Sequence, residues 1–138
     1  MGTMITIETT VHVSVEDAWF YWTEPEHITK WSAASDEWHA PKAENDLRAG
    51  GKFITRMEAK DGSFGFDFGG IYDEVNLHRL ISYTLDDGRK VTITFADQGN
   101  KTKITEVFEA EAENSIEMQR DGWQAILDNF KRYSESHK

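Results

Sequence analysis

The chain has 138 residues, 25 acidic against 15 basic, a formal net charge of −10 and no cysteine. That length suits one domain able to bury its own core. The missing cysteines exclude disulfides, thiolate catalysis and cysteine metal sites, and the negative charge argues against nucleic acid or anionic membranes as partners.

Residues 4–13 read as a strand, with Ile5, Ile7, Thr9, Val11 and Val13 alternating along it. Met4 can itself serve as a start, so residues 1–3 read as vector-derived or disordered. Ser14 is a good N-cap, and Asp17 completes a capping-box-like pair for a helix over 15–23. Thr23 and Glu26 repeat the signal, and Pro25 suits a first helical turn, so a second short helix is expected over 25–31. Residues 32–48 show no period and read as a long loop carrying Trp38 and His39.

Gly50-Gly51 opens a strand over 52–60, and Asp61-Gly62 is a hairpin signal. The next strand, 64–75, places Phe64, Phe66, Phe68 and Tyr72 on one side. Gly69-Gly70 within it predicts a bulge or a close backbone approach. Strands over 79–85, 89–97 and 101–112 follow across the turns at Asp87-Gly88 and Gly99-Asn100, making an antiparallel meander. The pattern then changes period: Ile116, Arg120, Trp123, Ile126, Leu127 and Phe130 describe a helix running to about Ser134. Gly122 inside that helix predicts a point where its backbone lies close to a neighbour. The acidic run from Glu106 to Glu117 reads as a solvated strand end and helix start, with acids favoured near the helix N-terminus.

One strand, two short helices, five strands and a long helix make an α+β domain. The economical packing curls a six-stranded antiparallel sheet around the C-terminal helix and leaves a space between them for a ligand.

Several stretches resemble one superfamily. They are Ser14-Val-Glu-Asp-Ala-Trp19, Thr23-Glu-Pro-Glu-His-Ile-Thr-Lys-Trp31, Asp46-Leu-Arg-Ala-Gly-Gly-Lys-Phe53, Gly70-Ile-Tyr-Asp-Glu-Val75 with Arg79-Leu80, and Gly122-Trp123. Their order and spacing resemble the START-like helix-grip (Bet v-like, polyketide cyclase-like) superfamily. The local sequence is closer still to its activator of heat-shock protein 90 ATPase homologues, of the bacterial stand-alone type. The resemblance spans nearly the whole chain and implies a single helix-grip domain over 1–138. It specifies fold more than function, since the superfamily hosts lipid carriers, receptors and cyclases.

No catalytic signature stands out. The five histidines have no compact metal-ligand spacing, and no nucleophile elbow or phosphate loop is present. No metal or cofactor is expected. Charge inside strands is more informative: the Asp61-Gly62 turn sets Arg56 opposite the region of Asp67 and Phe68. On one strand parity Arg56, Glu58 and Asp67 form ion pairs on the solvent face. On the other they point inward and anchor a polar group of a ligand. Trp31, Trp38 and His39 flank the predicted pocket mouth. Tyr72 and Tyr83 offer a hydroxyl on an apolar body, and Trp19 and Trp123 read as core. The candidate ligand-binding set is therefore Trp31, Trp38, His39, Arg56, Asp67, Phe68, Tyr72, Tyr83 and Trp123.

Three functions follow. The first is a binding module for a small hydrophobic or aromatic molecule: lipid, polyketide-like or aromatic. The second is a cyclase- or hydrolase-like enzyme using cavity acids and bases, with His39, Asp67 and Glu58 as candidates. The third, implied by the resemblance, is a chaperone partner; eukaryotic members carry a further N-terminal domain that these residues lack. No apolar run approaches about 20 residues and no leader pattern opens the chain, so a cytoplasmic protein with no membrane insertion is expected. Exposed edge strands and loop aromatics would suit a homodimer.

Overall fold

The computed structural model describes residues 3–33 and 35–137. For residues 1 and 2 the vector-derived reading therefore lies outside the described chain. The Thr3 carbonyl accepts the Ala110 N–H at 2.8 Å.

The elements run β1 (Met4–Val11), α1 (Val15–Thr23), α2 (Pro25–Trp31), β2 (Trp38–Asn45), β3 (Lys52–Ala59), β4 (Gly65–Asn76), β5 (Leu80–Leu85), β6 (Lys90–Asp97), β7 (Thr102–Glu109) and α3 (Ile116–Ser136). All strand pairs are antiparallel, in the order β1-β7-β6-β5-β4-β3-β2. The fold is α+β, a half-barrel curled around α3. Serine caps open α1 and α3, whereas the cap expected from Thr23 and Glu26 is absent: the N-cap of α2 is Glu24, without a side-chain bond, and Thr23 Oγ1 donates to the Trp19 carbonyl at 2.8 Å. Ser14 Oγ accepts the Asp17 N–H at 3.2 Å, and Ser115 Oγ accepts the Met118 N–H at 3.1 Å.

The sheet has seven strands where six were expected. The seventh, β2, lies inside the stretch read as a loop. It contains Pro41 and no β-branched residue, so it carries little strand propensity of its own. Pairing with β3 forms it, and its register slips between His39 and Lys42, around that proline.

The inward faces follow strict alternation. Ile5 and Ile7 of β1, Ile81 and Tyr83 of β5, Val91 and Ile93 of β6, and Ile104 and Phe108 of β7 are all buried. Gly69 and Gly70 carry no bulge, because β3 pairs in register through both. They permit a close approach instead: a Cβ on Gly69 would lie 2.8 Å from the Phe53 carbonyl oxygen, and one on Gly70 would strike that of Thr84. The irregularity falls at Asp73, between the Tyr72–Tyr83 and Glu74–Ser82 pairs. It passes the inward face from Tyr72 to Val75.

Helix α3 is tied to both ends of the curl. Towards β1, Lys131 Nζ donates to the Thr10 carbonyl at 2.6 Å, and Glu135 accepts the His12 N–H at 2.9 Å. Towards α2, Asn129 Nδ2 donates to the Trp31 carbonyl at 2.9 Å. Between them Phe130 is fully buried and packs edge-on against Trp22 and Trp31, with ring centroids 4.8 and 4.9 Å away. Among the described residues no helix is long and apolar enough to cross a membrane.

Candidate ligand cavity

Above the Phe130 cluster the sheet and α3 part, leaving a cavity of about 310 Å³. Its floor comes from β3, β4 and β5, through Phe53, Thr55, Phe68, Tyr72 and Tyr83. Trp123 and Ile126 of α3 close it from above, and Trp22, Ile28 and Trp31 wall the end formed by α1 and α2. Trp123 is held flat against Phe108, with centroids 3.9 Å apart and planes 8° from parallel, and meets Phe68 edge-on at 5.8 Å. Tyr83 packs edge-on to Phe53 at 4.6 Å. The walls are thus aromatic rings braced against one another.

The polar groups are few. Tyr72 Oη donates to Asn45 Oδ1 at 2.5 Å, and Asn45 Nδ2 donates to the Thr23 carbonyl at 2.6 Å. One asparagine therefore fixes a cavity tyrosine to β2 and to the end of α1. Burial raises the Tyr72 hydroxyl's pKa, and the Asn45 bond offsets part of the rise.

Glu106 is the most unusual group. It sits on β7 in an inward row that reads Ile7, Glu106, Ile93, Ile81 across four strands. It is only 6% exposed, and its side chain makes no hydrogen bond or ion pair among the described residues. No fully enclosed side-chain polar atom lacks a partner among them, so the carboxyl oxygens open into the cavity. Burial pushes its pKa up to about 8, which keeps a proton on it at neutral pH. Tyr83 lies in the next row, beside Val91 and Phe108. Its pKa is well above the ordinary value, through burial first and then the nearby Glu106 and Tyr72; Arg89 acts the other way.

Of the sequence-predicted set, Trp31, Phe68, Tyr72, Tyr83 and Trp123 line this one cavity. The other four lie elsewhere. Arg56 and Asp67 face each other across β3 and β4 on the outer face, because the parity of Phe53, Thr55 and Met57 is the inward one. Arg56 donates to Glu58 at 2.9 Å, where both side chains are half-buried, and to the exposed Asp67 at 3.4 Å. His39 is exposed, 3.8 Å from Glu58. Trp38 packs against Phe64 and Phe66 at the hairpin end, with centroids 6.0 and 6.1 Å away. Among the described residues no three His, Asp or Glu side chains gather as a metal site.

Sequence reasoning assigned Glu106 to a solvated acidic run, and the structure corrects this. Its parity with Thr102, Ile104 and Phe108, all buried, is the signal that could have found it. Gly122 is corrected as well: a Cβ there would meet nothing within 4 Å.

A curled antiparallel sheet gripping a C-terminal helix around a ring-lined cavity is the architecture of a START-like helix-grip domain. Within that class the chain belongs to the family described as Activator of Hsp90 ATPase homolog 1-like protein, whose model matches residues 12–135. It is similar to the solution structure of an AHSA1-like protein from Aeromonas hydrophila, at 42% identity and a TM-score of 0.92, over 98% of this chain and 94% of that one. A protein from Cytophaga hutchinsonii is 56% identical, with a TM-score of 0.83 over 96% of this chain and 92% of that one. A protein from Chromobacterium violaceum, 24% identical over 96% of this chain and 98% of that one, shares the fold at a TM-score of 0.85. No curated protein matches the chain.

Proposed function

We propose that this protein binds a small hydrophobic or aromatic molecule in the cavity between the sheet and α3. The observation that carries this reading is a space of about 310 Å³ walled by rings in which a buried carboxyl has no partner. Apolar walls with a few convergent polar groups are the usual composition of a ligand site. A folded chain has no stability reason to hold an unpaired acid against aliphatic neighbours.

Native mass spectrometry of freshly purified protein, then titration with apolar ligands followed by tryptophan emission, tests this. Trp22, Trp31 and Trp123 line the cavity, so a saturable change in emission is expected. Protein that carries nothing and does not respond to the panel overturns the reading.

One observation favours a second reading, an enzyme of the cyclase or hydrolase type. Glu106 and Tyr83 are two titratable groups in one pocket, and an acid titrating near 8 suits proton transfer at neutral pH. Turnover of a bound ligand, lost in Glu106→Gln, would distinguish it from simple binding.

A further inference from the structure

We propose that the ligand of this cavity is an organic cation, an amine on an apolar or aromatic body whose ammonium group pairs with the Glu106 carboxylate. This rests on the binding reading above and names the chemistry of the occupant.

The charge arrangement around the cavity carries it. Of the lining residues, two are acids, Glu106 and Glu111, and one is a base, Arg89. The base is already committed: Arg89 Nε donates to Asp87 at 2.8 Å, and Nη1 donates to the Glu109 carbonyl at 3.5 Å. Glu106 has no such partner among the described residues. Eight of the lining residues are aromatic, and ring faces attract cations through the quadrupole, most strongly where water is excluded. A fatty-acid carboxylate or a phosphate would find no uncommitted base among the lining residues and would face the negative sides of the rings. An ammonium group would be attracted by the rings and, once Glu106 gives up its proton, by its carboxylate. The net charge of −10 adds a long-range field of the same sign.

The elements packed around Glu106 raise its pKa by burying it. Strands β1 and β6 place Ile7 and Ile93 beside it, and α3 brings Trp123 and Ile126 across the cavity. The groups that can titrate or carry charge are Tyr83 from β5, Tyr72 from β4, Arg89 from the β5–β6 turn and Glu111 beyond β7. In the empty cavity Glu106 holds its proton up to about pH 8. Pairing with an ammonium ligand requires the ionised form, so binding at lower pH sends that proton to the buffer.

The test is calorimetric titration of the intact protein with 1-naphthylmethylamine, 1-naphthalenemethanol and 1-naphthylacetate, in buffers of different ionisation enthalpy. Amine affinity should rise about tenfold per pH unit between pH 6 and 7 and flatten above pH 8, with about one proton released at pH 6. The alcohol should bind at least tenfold more weakly than the amine at pH 8, with no proton release, and the acetate more weakly still. In Glu106→Gln the amine should lose its advantage over the alcohol and its pH dependence. The proton count on the unaltered protein stands whether or not that variant folds. Equal affinity for amine and alcohol, or tighter binding of the acetate, overturns the cation proposal and leaves the binding reading in place. No binding of any of the three at millimolar concentration overturns both.

Discussion

Glu106 has a consequence for stability apart from any ligand. In the unfolded chain its carboxyl ionises at the ordinary 4.5, whereas in the folded chain it holds its proton to about 8. Between those values the folded state binds the extra proton, so stability falls as pH rises. The contribution is undiminished below about pH 4.5 and is lost through the window up to 8, a difference on the order of 4 kcal/mol. Glu106→Gln carries no charge in either state. Urea midpoints of the variant and the parent should coincide near pH 4 and separate in the variant's favour by pH 9; coincidence at pH 9 would mean the carboxyl is solvated. Asn45 acts in the opposite direction. It satisfies Tyr72 Oη and the Thr23 carbonyl, so Asn45→Ala strands two buried partners and should cost about 1–3 kcal/mol, measured the same way. Neither residue stood out in the sequence. Glu106 was hidden among Glu109, Glu111 and Glu113, where counting acids suggested solvent and only strand parity pointed inward. Asn45 came from a stretch with no period, and a side chain bridging β2, β4 and α1 has no local signature.

At the level of elements, alternation and capping made most of the fold legible. Both short helices, the β3–β7 meander and α3 follow from Ser14, Pro25, the Gly-containing turns and the Trp123–Phe130 spacing. The exception, β2, shows the limit, because its pairing with β3 is a tertiary effect that its composition opposes. The inward parity of β3 and β4 was also undecided, so Arg56 and Asp67 could be assigned to either face. The glycines separate two uses of one residue. At Gly70 a side chain would collide with the Thr84 carbonyl and come within 3.0 Å of Leu85 Cα. Gly70→Ala should therefore lower stability by about 3 kcal/mol, since backbone in a paired strand yields little. At Gly122 nothing stands within 4 Å, so Gly122→Ala should gain helix propensity with no clash. A rise of about 1 kcal/mol is expected by denaturant unfolding, and a fall would mean that the helix backbone touches a neighbour there after all.

For the molecule as a whole, the relation between core and cavity matters most. Lys131 and Glu135 fasten α3 to β1, and Asn129 fastens it to α2. The helix therefore spans the open sheet without following it everywhere, and the cavity is what that span leaves unfilled. Interiors otherwise pack close to crystal density, and unfilled volume forfeits contacts that a larger side chain would recover. Thr55 is buried on the floor and Ile126 projects from the helix opposite. Thr55→Leu combined with Ile126→Phe adds apolar atoms on both sides at about 0.8 kcal/mol per methylene buried. The pair should raise the melting temperature by about 3–6 °C and abolish the ligand-induced change in tryptophan emission. Loss of the response with a higher melting temperature would mean the space is kept open for an occupant at the expense of stability. An unchanged response would move the ligand elsewhere on the protein. A lower melting temperature would mean the rings around the cavity already touch in solution, leaving no room to fill.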